Sequence, residues 1–408
     1  MSNTQKKNVP ELRFPGFEGE WEEKQFADFT KINQGLQIAI NERKTEYSPE
    51  LYFYITNEFL RPNSQTKYFI ENPPQSVIAN KEDILMTRTG NTGKVVTNVF
   101  GALHNNFFKI KFDKNLYDRL FLVEVLNSSK IQNKILSLAG SSTIPDLNHS
   151  DFYSISSSYP LLREQQKIGK FFSKLDRQIE LEEQKLELLK QQKKGYMQKI
   201  FSQELRFKDE NGNDYPEWES KSIQEIFENK GGTALETEFN FDGNYKVISI
   251  GSYSINSTYN DQNIRVNKNK KTEKYILSKG DLAMVLNDKT KDGKIIGRSI
   301  FIDKDNQYIY NQRTERLIPF AENDNKFLWF LMNTDLIRNK IKGMMQGATQ
   351  VYINYSSIKL ISIQLPLLEE QQKIRGFLEV LSGITTEQLH KIDQLKERKK
   401  AFLQKMFI

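Results

Sequence analysis

Gly90-Asn91-Thr92-Gly93-Lys94 looks faintly like a phosphate-gripping loop, in which backbone N–H groups and a lysine cradle a polyphosphate. The full pattern needs glycine at position 88 and a hydroxyl residue at 95, and Arg88 and Val95 stand there instead. Asn72-Pro73-Pro74-Gln75 carries the Asn-Pro-Pro frame on which enzymes that methylate adenine hold an extruded base. The fourth residue of that frame must be aromatic to stack on the base, and Gln75 has no ring. The histidines, His104, His149 and His390, are scattered with no ligand spacing between them, so a metal site is not expected. The chain has no cysteine, which excludes disulfides, thiolate zinc sites and cysteine nucleophiles and fits a reducing, cytoplasmic setting. The expectation is a protein with no catalytic centre of its own and no cofactor.

What remains is polar and basic surface chemistry. Lys plus Arg outnumber Asp plus Glu by 59 to 52, and the resulting net charge of +7 favours a polyanionic partner without proving one. At 408 residues the chain is too long for one ordinary core, so two domains are expected. No apolar stretch approaches the length of a membrane span, and Met1 to Asn8 lead into no apolar signal segment.

An internal repeat fixes the architecture. Pro160-Leu161-Leu162-Arg163-Glu164-Gln165-Gln166-Lys167-Ile168 returns 206 residues later as Pro366-Leu367-Leu368-Glu369-Glu370-Gln371-Gln372-Lys373-Ile374, with Arg163 against Glu369 as the single difference. The register holds forward to Gln198-Lys199-Ile200-Phe201 against Gln404-Lys405-Met406-Phe407, and backward to Asn133-Lys134-Ile135 against Asn339-Lys340-Ile341. Further upstream the offset drifts to 198 for Asp83 and Asp281, 197 for Trp21 and Trp218, and 193 for Leu12-Arg13-Phe14 and Leu205-Arg206-Phe207. Uneven drift after a gene duplication would give some of this. A packed helix, however, cannot take one extra residue without rotating its apolar face away, whereas surface loops can.

After Pro160, apolar residues fall at Ile168, Phe172, Leu175, Ile179, Leu186, Leu189, Tyr196 and Ile200, with Glu182 and Lys193 as polar gaps. The second copy places Ile374, Phe377, Leu378, Leu381, Leu389, Ile392, Leu395, Phe402 and Met406 at helical spacing, with gaps at Thr385 and Lys399. Both stripes predict long coiled-coil helices, too narrow in their apolar face to be core helices. About 40 residues would span roughly 60 Å, and an antiparallel pairing would give the chain pseudo-two-fold symmetry. Between the helices, Tyr52–Ile55, Asp83–Met86, Phe107–Phe112, Tyr245–Ile250 and Asp281–Val285 read as strands. Helices are expected over Tyr117–Leu138 and Asn325–Met345. The fold class is α+β: two globular domains at 1–160 and 204–365, each followed by a helix, at 161–203 and 366–408.

The duplicated Pro-Leu-Leu-x-Glu-Gln-Gln-Lys-Ile, each copy after a globular region and before a long polar helix, resembles the conserved regions of type I restriction-modification specificity subunits. So do Leu12-Arg13-Phe14-Pro15-Gly16-Phe17, the Asp-Ile-Leu-x-x-Arg-x-Gly stretch from Asp83 to Gly90, and the turns Gly140-Ser141-Ser142-Thr143 and Gly347-Ala348-Thr349-Gln350. The ordered set covers nearly the whole chain.

The resemblance implies a monomeric, non-catalytic subunit. Its two target-recognition domains each read one half of a split, asymmetric site on double-stranded DNA, and its helices set the gap. Partners would be two methyltransferase subunits and, through them, restriction subunits, with no membrane involved. Base reading needs polar side chains at base edges, with Lys and Arg on phosphates. In matching positions stand Arg88, Asn91, Thr92 and Lys94, then Asn105 and Asn106 after His104, then Ser141, Ser142 and Thr143. In the second half the candidates are Asn287, Lys289, Lys291 and Lys294, then Gln312 and Arg313, then Gln346, Thr349, Gln350 and Tyr352. Asn287–Lys294 departs from the Arg-x-Gly pattern, as it should if the halves read different bases. The rival reading is a coiled-coil adaptor whose two globular units bind proteins; it needs no basic loops near Lys94 and Lys294.

Overall fold

The computed structural model describes residues 8–61, 64–140 and 143–408. The chain forms two compact units, one of residues up to 184 together with 389–408, the other of residues 185–388. The division falls within the two long helices, Leu162–Phe201 and Leu368–Met406, so each unit contains part of both.

In the first unit the alternation of Phe107–Phe112 makes it a central strand covered on both faces. It pairs antiparallel with Thr30–Gln34 on one side and Ile84–Thr87 on the other, and Val95–Val96 completes the four strands. Phe108 and Ile110 pack with Ile84 and Met86 against the helices, while Phe107 and Leu85 face a second sheet with Ile55, Ala79 and Leu103. That second sheet runs Tyr68–Ile70, Tyr52–Ile55, Gly101–Leu103, Ile78–Ala79, and its middle pair is parallel.

The second unit repeats the plan. One sheet runs Phe227–Gly231, Thr314–Pro319, Leu282–Val285, Ser299–Phe301, and the other pairs Tyr245–Ile248 parallel with Tyr308–Tyr310.

The repeated motif acts inside each unit. Glu164, 2% exposed, takes both Nε and a terminal nitrogen of Arg13 at 2.7 Å, and Glu370, fully buried, takes Arg206 at 3.1 and 2.7 Å and also the Trp218 indole N–H at 3.1 Å. Such two-pronged contacts fix the opening Leu-Arg-Phe of each half to the start of its long helix. Gln165 accepts from the Asp118 N–H and donates to the Pro160 carbonyl, and Gln371 does the same with Asp324 and Pro366. Asp118 and Asp324 are in turn the caps of the next helices.

Two expectations about helices need correcting. Tyr117–Leu138 is two helices, Arg119–Asn127 and Ser129–Leu138, and Asn325–Met345 is likewise split into Asn325–Met332 and Asp335–Gly343. Ser128 and Thr334 stop the first member of each pair by turning extended and accepting an N–H, from Ile131 and Ile337, with their side-chain oxygens. The long helices are also not narrow-faced throughout. Ile168, Phe172 and Met406 belong to the core of the first unit, and Ile200, Phe201, Ile374 and Leu378 to that of the second. Full burial of Phe172 alone contributes about 2–3 kcal/mol.

Within the first unit the helix segments run antiparallel: Asp176 meets Lys399 and Glu182 meets Lys391, while Leu175, Ile179 and Leu395 close the apolar seam. Leu389, placed in the stripe by its spacing, is exposed. Gln388 is buried beside it.

Candidate nucleic-acid interface

Three chain segments meet at one edge of each unit. In the first, the backbone N–H of Arg88 donates to the Asn106 carbonyl and the Arg88 carbonyl accepts from Leu147, so the loop after Thr87, the 104–106 turn and the segment before Leu147 share one junction. The segment after Gln34 joins it through Leu36 N–H to Leu103 and Asn105 N–H to Leu36. Only glycine fits at position 35, because a Cβ there would lie 2.2 Å from the Leu103 carbonyl oxygen.

The second unit builds the same junction from Leu286, Arg313 and Ile353, with Gly232 pressed against Asn311, where a Cβ would lie 2.1 Å from its carbonyl oxygen. Paired backbone bonds make His104-Asn105-Asn106 the counterpart of Asn311-Gln312-Arg313: His104 N–H donates to Ile55, Asn311 N–H to Ile248.

Among the described residues, the sequence candidates therefore gather in space within each unit, but their side chains differ in freedom. Arg88 is engaged: its guanidinium pairs with Asp146 at 2.6 Å, donates to the Leu147 carbonyl and sits over the Phe108 ring. Thr92 donates to the Pro145 carbonyl at 2.6 Å and Asn105 to the Gln37 side chain at 3.0 Å. Asn106 is half-buried, and Asn91, Lys94 and Thr143 are exposed. Ser141 and Ser142 lie outside the described residues.

In the second unit Lys289, Lys291, Lys294, Gln312, Arg313, Gln346, Thr349, Gln350 and Tyr352 are all exposed, with Asn287 half-buried and paired in register with Tyr352. Gln346 and Tyr352 exchange backbone bonds at 2.8 and 2.9 Å and present Thr349 and Gln350 at a hairpin tip. Arg313 adopts a left-handed φ of 66°, a conformation that a non-glycine residue rarely takes. Gln312 is braced by Glu236, whose carboxyl is held below its ordinary range by the hydrogen bond from Asn311.

Spacing along the chain conceals one structural counterpart. Thr87 N–H donates to the Lys94 carbonyl as Val285 N–H does to that of Arg298, so Arg298 rather than Lys294 matches Lys94. Gly93 follows Thr87 by six residues and Gly297 follows Val285 by twelve, and the longer loop carries the three lysines. Gln37, Glu236 and Arg298 were not singled out by sequence, because nothing in their local pattern marks them; side-chain bonds from Asn105, Asn311 and Gln312 tie the first two to the edge, and a backbone bond from Val285 ties Arg298.

His104, in the turn itself, is kept neutral: burial, with the Arg43 guanidinium adding to it, pulls its pKa down to about 4. Among the described residues no three His, Asp or Glu side chains come together to hold a metal, and no helix is long and apolar enough to cross a membrane.

A duplicated α+β unit with a polar, cationic three-segment edge is a plan suited to a chain that meets a polyanion. The model of the type I restriction modification DNA specificity domain matches residues 18–191 and again 215–397, and the chain belongs to that family. It is 26% identical over 410 residues to the type I restriction enzyme MjaVIII specificity subunit of Methanocaldococcus jannaschii, covering 97% of this chain and 93% of that protein. In fold it is similar to the crystal structure of a type I restriction-modification S subunit from M. genitalium, with TM-score 0.59, 16% identity and coverage of 98% and 99% of the two chains. It is also similar to a chain from a structural study of complex assembly and conformational transition in the type I R-M system, with TM-score 0.60, 14% identity and coverage of 97% and 99%.

Proposed function

We propose that this chain is the DNA-reading specificity subunit of a type I restriction-modification complex. It recognises a bipartite, asymmetric site, and it directs adenine methylation and restriction that partner subunits carry out. The observation that carries the reading is the same three-segment junction built twice with different exposed side chains: Asn91, Lys94 and Thr143 in one unit, the lysine loop, Arg313 and the Gln346–Tyr352 hairpin in the other. Two identical readers would read a symmetric site, whereas these two present different donors and acceptors to base edges. On this reading residues 1–160 and 204–365 are target-recognition domains and 161–203 and 366–408 are coiled-coil spacers that hold their separation. The subunit is non-catalytic and works in the cytoplasm with two methyltransferase subunits, which in turn recruit restriction subunits.

Footprinting of the complex with its methyltransferase tests this directly. Protection at two separated patches is expected, and one continuous patch would contradict it. Affinity should also fall steeply with salt, with a log–log slope of about −0.9 per phosphate neutralised. A protein-binding adaptor would show neither result.

A further inference from the structure

The loops of the two reading edges differ in length, yet each accepts through its backbone carbonyls from a side-chain donor at the same repeat position. In the first unit Gln132, on the Ser129–Leu138 helix, donates its Nε2 to the Gly93 carbonyl at 2.8 Å and to the Leu126 carbonyl at 2.6 Å. Its carboxamide fills the space under the loop, for a Cβ on Gly93 would lie 2.8 Å from Oε1. Arg338 stands 206 residues on, on the Asp335–Gly343 helix, and it donates to the carbonyls of Lys294 and Ile296 at 2.9 and 3.2 Å.

Arg338 is 5% exposed, and among the described residues no carboxylate lies within ion-pairing distance of it. Burial, and then the like charge of Arg298, lower its pKa to about 10. A guanidinium kept in that setting is costly unless its donors are used; one terminal nitrogen makes both carbonyl bonds, each to this loop, while the buried Nε has no hydrogen-bond partner among the described residues. Asp288 ties the same loop from its other side, accepting from Thr290 N–H at 3.0 Å and from Ile295 N–H at 2.9 Å. The backbone under Lys289, Lys291 and Lys294 is thereby pinned while their side chains stay exposed.

We propose that Gln132 and Arg338 are the positioning residues of the two reading loops, each fixing where the loop of its own unit meets its half of the DNA site. Neither touches DNA; each acts through backbone carbonyls. The proposal rests on the DNA-reading function above. It explains why a side-chain donor stands at both positions although glutamine and arginine are chemically unalike and the loops differ in length. Recognition by side chains needs their backbone held to a fraction of an ångström, which a loop joined only at its ends does not provide.

The test is genome-wide mapping of methylated adenines in cells expressing the chain with its methyltransferase, for the wild type, Arg338→Met, Arg338→Gln and Gln132→Leu. Arg338→Met is expected to relax the preference at positions of one half-site by about tenfold, leaving the other half unchanged. Gln132→Leu should relax the opposite half, and Arg338→Gln, which restores a donor, should recover most of the loss. Melting temperatures measured alongside separate this from general weakening, which would blur both halves together. Wild-type preference in both halves for both loss variants, or equal relaxation of both halves, would overturn the proposal. Should Arg338→Met fail to accumulate, Gln132→Leu decides the matter at a half-buried site of near-equal volume. A wild type that yields no two-part motif would instead remove the function reading itself.

Discussion

Gln165 and Gln371 make matching bonds to a helix cap and to a proline carbonyl, while the loops Thr87–Lys94 and Val285–Arg298 share neither length nor sequence. The two halves thus diverged where side chains reach solvent at the edge and held where they anchor an element. Not every interior site held, however. The matched lysines Lys399 and Lys193, a 206-residue pair, meet Asp176 and the buried Glu124 in the first unit but the Phe330 ring in the second. Phe108, at the centre of the first unit, likewise has Glu315 as its counterpart, buried and held by Asn229. A duplicated position keeps its fold role with either residue provided that the partners change with it.

The strongest way to break the comparison is at the shared arginine–glutamate clamp. Glu370→Ala leaves the Arg206 charge and the Trp218 N–H without their acceptor, and should lower the stability of the second unit by about 3–4 kcal/mol. Glu164→Ala should cost somewhat less, because it strands Arg13 without an equivalent indole bond. Denaturant midpoints for the two variants check the order; a negligible effect of either would mean that the motif is retained for another reason.

Next in size are the lysines, where the two units should respond unequally. Lys399→Met strands buried Glu124, whose carboxyl burial already pushes up, and should destabilise by about 2–3 kcal/mol. Lys193, whose pKa burial lowers, has no carboxylate to lose among the described residues, so Lys193→Met should be neutral or stabilise by up to about 1 kcal/mol. Equal losses in calorimetry would refute the asymmetry.

The smallest effect concerns pH. His104 titrates near 4 in the folded first unit against 6.5 when free, so between those values the unfolded chain binds a proton that the folded unit refuses. Its contribution to stability is complete above about pH 6.5 and is lost as pH falls towards 4. Asn311 fills the same place in the second unit and carries no such proton. His104→Asn should therefore lose less melting temperature between pH 7.5 and 5 than the wild type; identical losses would place the pH sensitivity elsewhere.

Much of this was legible in the chain. The repeat and the strands Tyr52–Ile55 and Phe107–Phe112 followed from spacing, since period-two alternation and a gap-free register are local signals, whereas the candidate loops were named through the family resemblance. The helix breaks at Ser128 and Thr334 were not, because a hydroxyl residue fits a helix interior as well as a cap and only packing decides between them. The engagement of Arg88 by Asp146 depends on a residue 58 positions away. The match of Lys94 to Arg298 lies across an insertion that no offset reveals.

The central claim is that the two units read independently. Exchange of residues 11–159 for the corresponding segment of a relative, followed by mapping of methylated adenines with the same methyltransferase, tests it most directly. The account predicts a new sequence in one half of the motif and the old one in the other. A motif altered in both halves, or in neither, would contradict it.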